Sequence, residues 1–130
     1  MPQLKCIVVT PEQTVEDLPA DFVALPLYDG ELGVAPGHTP MIGRLGYGEL
    51  RIVNAGQTTR YYVDGGFVEF ADNIVSVLTN NAVPAKKLDA GKAQTQLEAA
   101  KSRPANTPEL LAIRERDQQR ARAQLRVARK

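Results

Sequence analysis

Apolar positions recur every second residue in short runs across residues 1–85. LKCIVVT (4–10), TVEDL (14–18), FVAL (22–25), ELRIV (49–53), TRYYV (59–63), FVEFA (67–71) and NIVSVLT (73–79) are β-branched or apolar runs. A period of two puts successive side chains on opposite faces of a strand. Turn formers separate the runs: Thr10-Pro11, Leu18-Pro19-Ala20-Asp21, Asn54-Ala55-Gly56, Asp64-Gly65-Gly66 and Asp72-Asn73. Many short strands at near-regular spacing predict an antiparallel sandwich or barrel, with ELRIV and TRYYV forming a hairpin. No strand–helix alternation is present, which argues against a parallel nucleotide-binding sheet.

The period changes after Pro84. Residues 85–103 lack a β-branched cluster and are rich in Ala, Lys, Gln and Glu, all good helix formers. Ala90, Ala93, Leu97 and Ala100 fall on one helical stripe. RPANTP (103–108) breaks that helix, and Thr107 with Pro108 then supplies an N-cap and a first helical position. The second helix, from Pro108 to about Arg129, places Leu110, Ile113, Ala121, Leu125 and Ala128 roughly on one side. A short link between two helices predicts an antiparallel hairpin. Its seam is mostly alanine and buries little area, so a mobile or partner-dependent hairpin is expected.

Composition fits this division. The chain has 130 residues, enough for a small domain with an appendage, and its 43% hydrophobic content can build a core. No apolar run approaches the roughly 18 residues of a membrane span. The start, MPQLKCIVVTPEQ, has no basic n-region leading into a long apolar stretch, so no signal peptide is expected. The single cysteine, Cys6, excludes an internal disulfide and reads as a buried small hydrophobe. Residues 1–85 carry four basic and ten acidic residues, net −6; residues 86–130 carry twelve and five, net +7. Opposite charges suggest two modules with different partners.

Candidate chemistry concentrates in DGELGVAPGHTP (29–40), which holds the only histidine, His38. A phosphate-binding loop requires a strand before it and a helix after it, and here Pro36 and Pro40 interrupt the segment where that helix would start. His38 has no second histidine for a metal and no serine in a nucleophile motif, so no catalytic constellation forms. The remaining reading is a rigid corner, stiffened by its prolines, used either as a docking surface or simply to turn the chain. The arginines of the second helix read as a solvated face or as a face for an acidic partner. A nucleic-acid arm fits poorly beside an acidic body and a basic segment without aromatics.

Five ordered motifs carry a resemblance. They are Val8-Val9-Thr10-Pro11-Glu12, Leu25 to Pro40 (LPLYDGELGVAPGHTP), Leu45 to Ile52 (LGYGELRI), Val63 to Glu69 (VDGGFVE) and Asn73 to Leu78 (NIVSVL). Together they resemble the ε subunit of the F-type ATP synthase, called δ in mitochondria. The resemblance implies an N-terminal β-sandwich (1–84) followed by a two-helix hairpin (85–130). It also implies a non-catalytic rotor subunit of the central stalk, without a cofactor or metal. The expected partners are γ, the c-ring and, through the hairpin, the α/β catalytic head. Membrane association comes only through the complex, on the cytoplasmic side of a bacterial plasma membrane rather than a plastid thylakoid. Glu31 and His38 are the expected polar contacts of the corner, with Met41 and Arg44 against γ. Arg114, Arg116 and Arg120 are expected to meet an acidic loop of the β subunit when the hairpin extends and blocks ATP hydrolysis. A regulatory ATP site would use Leu88, Asp89, Lys92, Ala93, Arg122 and Arg126. Lys92 stands where the family has arginine and Val83 where it has glutamate, so the expected site is weak. The alternative function is a sandwich binding module with a basic tail for RNA or an acidic protein.

Overall fold

A computed structural model describes residues 3–129. Eight strands come first: β1 (Leu4–Val9), β2 (Thr14–Ala20), β3 (Phe22–Leu27), β4 (Gly30–Val34), β5 (Met41–Asn54), β6 (Gln57–Ala71), β7 (Ile74–Leu78) and β8 (Ala82–Pro84). A single turn of 3-10 helix (Ala85–Lys87) leads to α1 (Ala90–Lys101) and α2 (Pro108–Ala128).

The strands pair in the order β2-β1-β7-β6-β5-β3-β4, with β8 added against β6. All pairs are antiparallel except β1 with β7. Val8 near one end of this order and Val34 at the other share one core with Leu25, Leu50, Val63 and Phe70. The sheet therefore folds over into a sandwich, as the alternating pattern predicts. β1 and β7 bury alternate residues: Leu4, Cys6 and Val8 on one, Val75 and Val77 on the other.

Two turn signals act as expected. Ala55-Gly56 joins β5 to β6 and Asp72-Asn73 joins β6 to β7, all four residues with positive φ, as a two-residue hairpin turn requires. Asp64-Gly65-Gly66 does not end a strand. β6 runs through it, so TRYYV and FVEFA belong to one element. Gly66, at φ 111°, lets the strand bend against its neighbour, because a Cβ there would lie 2.0 Å from the Leu78 carbonyl oxygen. The corner segment also differs from expectation. Gly30–Val34 is an edge strand on β3, and only the residues after it turn.

The helices form the expected hairpin. Asp89 caps α1 by accepting from the Lys92 amide, and Thr107 caps α2 by accepting from the Leu110 amide. Ala93 and Leu97 pack against Ala121 and Leu125, with Ala90 beside them. Leu110 and Ile113 do not join that seam and remain 42% exposed. α2 instead carries a second buried stripe. Ala123 and Val127 rest on Tyr62 of β6, with Tyr47, Val83, Ala85 and Leu88 around them. The hairpin thus lies on the sandwich.

Candidate functional site

Three surfaces bring together the candidate residues. The first is the corner and the sheet beside it. Glu31, on edge strand β4, forms a two-pronged pair with Arg51 at 3.0 and 3.3 Å. Arg51 continues to Glu49 at 3.1 Å, Glu49 to Arg60 at 2.6 Å, and Arg60 donates to the Val127 carbonyl at 2.9 Å. A ladder of alternating charge therefore runs from the edge strand to the last turn of α2. Its inner member, Glu49, is buried between two guanidinium groups. His38 is half-buried in the corner. Its ring meets Phe70 edge-on at 5.6 Å, and Nδ1 lies 2.7 Å from the Thr39 carbonyl, a distance that requires Nδ1 to donate. Gly37 donates its amide to Asn73, which ties the corner to the β6–β7 turn.

Met41 packs on the sandwich core, whereas its neighbour Ile42 is 76% exposed. Arg44 points outward and lies over the Tyr28 ring at 4.7 Å, a cation–π contact. It sits opposite Phe67 in the β5–β6 register, and Phe67 sits opposite Leu78. Phe67 and Leu78 are 59% and 51% exposed. Ile42, Phe67 and Leu78 thus form an open apolar patch on the sheet, bordered by Arg44. Of this patch only Arg44 is expected as a contact from the sequence; Phe67 and Leu78 lie within two of the motifs but carry no assigned role there. The signal for the rest lay in strand register: once β5, β6 and β7 are aligned, residues of one parity share a face.

The second surface is the seat of α2. Arg120 reaches across to Asp64 of β6, Nη2 to Oδ2, at 2.6 Å. Asp64 is only 6% exposed. Tyr62 donates its hydroxyl to the other oxygen, Oδ1, at a long 3.5 Å. Burial, with Asp64 adding to it, pushes the Tyr62 hydroxyl pKa above the ordinary range. Arg114 donates to the Arg103 carbonyl at 3.3 Å, and Arg116 approaches its neighbour Asp117 at 3.6 Å. Of the three expected inhibitory arginines, then, Arg120 is the one engaged with the sandwich. Asp64 reads as a turn residue in sequence, which concealed this role.

The third is a groove of 660 Å³ between α2 and the sandwich, lined by Tyr28, Arg44, Tyr47, Asn80, Arg122 and Arg126 and by no acidic side chain. Asp89 and Lys92 line a different hollow, of 600 Å³, with Gly91, Thr95 and Gln96. Leu88 packs toward Tyr62, and Ala93 is buried in the helix seam. The two halves of the expected ATP site therefore line separate cavities here. Among the described residues no group of three His, Cys, Asp or Glu side chains could hold a metal, and no helix is long and apolar enough to cross a membrane.

Comparisons with known proteins bear on the fold and the family. Residues 3–85 match the family model described as ATP synthase, Delta/Epsilon chain, beta-sandwich domain. The ATP synthase epsilon chain of Rhodopirellula baltica is 51% identical over 126 residues, spanning 97% of this chain and 98% of that one. The epsilon chain of a Synechococcus strain is 40% identical over 124 residues, 93% of this chain and 90% of its own. Among solved structures, a chain of the Euglena gracilis mitochondrial ATP synthase (OSCP/F1/c-ring) superposes with a TM-score of 0.89 at 22% identity, covering 100% of this chain and 83% of its own. A chain of the Tetrahymena thermophila mitochondrial ATP synthase central stalk and c-ring gives 0.76 at 14% identity, covering 96% of both chains. The solved structures speak for the fold, and the family model with the full-length relatives shows that this chain belongs to the ATP synthase delta/epsilon family, among its epsilon chains.

Proposed function

We propose that the chain is a non-catalytic rotor subunit of the central stalk, with residues 1–84 as a docking unit and residues 85–130 as a regulatory one. The sandwich would meet γ and the c-ring through the corner and the open patch: Glu31, His38 and Arg44, with Met41 supporting the strand beneath. The relatives' names and the setting of the structural neighbours support that placement. Peripheral attachment to the cytoplasmic side of a bacterial plasma membrane follows from it. ATP enters only as a weak regulatory ligand, because Lys92 is a point charge without a guanidinium fork and lies apart from Arg122 and Arg126.

One observation carries the regulatory half. α2 is seated on the sandwich by small side chains, Ala123 and Val127, and by few polar fasteners. Such a seat can open. Released, Arg114, Arg116 and Arg120 would face the acidic surface of the catalytic head, where several pairs acting together bias a two-position element. The test is deletion of residues 104–130. Hydrolysis by the assembled complex is expected to rise while assembly with γ persists. Changing Arg114, Arg116 and Arg120 together to Ala should give part of that rise, and added salt should mimic it. Unchanged hydrolysis after the deletion means the hairpin is no inhibitor.

A further inference from the structure

We propose that Asp64 and Arg120 form the latch that holds the hairpin down, and that Arg120 is shared: it serves Asp64 when docked and an acidic partner when released. The proposal rests on the regulatory reading above but can be tested apart from it.

Three features of the pair point this way. The contact joins the two modules across 56 positions of sequence, and it has a nearly buried carboxylate at its sandwich end. Leaving Asp64 without a partner in that setting is costly, so the pair resists opening as long as Arg120 stays. The pairing is also incomplete. Arg120 uses Nη2 alone on one oxygen of Asp64, its Nη1 lies 3.8 Å from Asp117 Oδ1 on its own helix, and its buried Nε has no acceptor among the described residues. A guanidinium prefers to bind a carboxylate through two nitrogens. An external carboxylate could offer that side-on geometry, and Asp64 does not. Docking therefore holds Arg120 in a contact that a better-placed acid outcompetes. Finally, one guanidinium cannot pair fully with both acids at once. The two positions of α2 are then mutually exclusive by chemistry as well as by space.

Arg60 supplies the second fastener, through the Val127 carbonyl, but it is a different kind of contact. Its charge is already committed to Glu49, and a backbone carbonyl is no competitor for an acidic partner. Arg120 alone carries the choice.

The experiment uses the full chain with spin labels on cysteines placed at exposed Thr58 and Glu115, Cys6 being buried. Distance distributions read the released fraction. Asp64→Asn keeps the shape and removes the charge, and it should raise that fraction roughly fivefold or more. Arg120→Gln should do the same, and the double variant should go no further than the larger single one, because both remove one interaction. Poly-glutamate should raise the released fraction of the parent chain by a clearly larger factor than that of Arg120→Gln, which keeps Arg114 and Arg116; an equal factor in both overturns the sharing of Arg120. An unchanged distribution in Asp64→Asn, or additive single effects, overturns the latch. Should Asp64→Asn fail to fold, Arg120→Gln decides, since the Arg120 side chain is partly exposed and stands outside the sandwich core. In the assembled complex Asp64→Asn should lower hydrolysis. A released hairpin with unchanged hydrolysis keeps the latch and overturns the inhibitory reading instead.

Discussion

Cys6 and Tyr61 are single side chains whose protons report the state of the whole sandwich. Burial, with Glu16 adding, pushes the Cys6 thiol up from its ordinary 9.0 to about 12. Burial and then the hydrogen bond to Glu16 push the Tyr61 hydroxyl up from 10.0 to about 12. Both groups hold their protons more tightly folded than unfolded. Above pH 9.0, where the free thiol titrates, the unfolded chain therefore binds fewer protons than the folded one. Stability then falls as pH rises, and it goes on falling toward pH 12. The melting temperature is expected to drop progressively above pH 9.0. At pH 8 Cys6 should resist alkylation until the chain is denatured. A thiol that reacts in the native protein at the rate of a free one would contradict the burial.

Strand β6 shows what local chemistry reveals and what it hides. Asp64-Gly65-Gly66 carries every residue-level mark of a turn, yet the strand passes through. Pairing with β5 on one side and with β7 and β8 on the other outweighs the local preference. The bend is still strict in its demands. Gly66→Ala should cost about 3 kcal/mol or more, since both the positive φ and the Leu78 carbonyl stand against a methyl group. Urea unfolding would measure it, and a loss below about 1 kcal/mol would mean that the strand shifts to make room. Elsewhere the same tension decides legibility. Ala55-Gly56 and Asp72-Asn73 could be read because no long-range pairing competes at those tips. The first half of β5 could not. Its glycines at 43, 46 and 48 lack strand character and are there for close approach; Gly46 sits against the Leu27 carbonyl and Gly48 against Pro26. In α2 the stripe facing α1 is visible as a helical repeat. The stripe facing Tyr62 is hidden, because Ala123 and Val127 alternate with arginines that the eye assigns to solvent. The corner was legible as a motif, but Asp64 and the open patch beside Arg44 emerge only when distant strands are laid together.

Across the molecule, the acidic body and the basic hairpin meet where the charges are opposite, Asp64 with Arg120. That junction still covers apolar surface belonging to the sandwich. A chain ending at Ala85 is expected to fold, since β8 is complete at Pro84, but to unfold at lower denaturant because Tyr62 loses its cover. Its slope against denaturant should also be smaller, as less area is exposed on unfolding. Loss of all cooperative unfolding would show that the hairpin is part of one indivisible unit. The parallel pairing of β1 with β7 has a different consequence, in time rather than in energy. Residues 5–9 lie against 74–78, so β1 leaves the ribosome long before the strand that covers its second edge. Until then β1 has only β2 beside it, and Cys6, Val8 and their neighbours face an unfinished interior. The helices are made later still. By the time α2 emerges, the sandwich can already have closed behind Tyr62, and the hairpin arrives at a finished surface on which it need only settle.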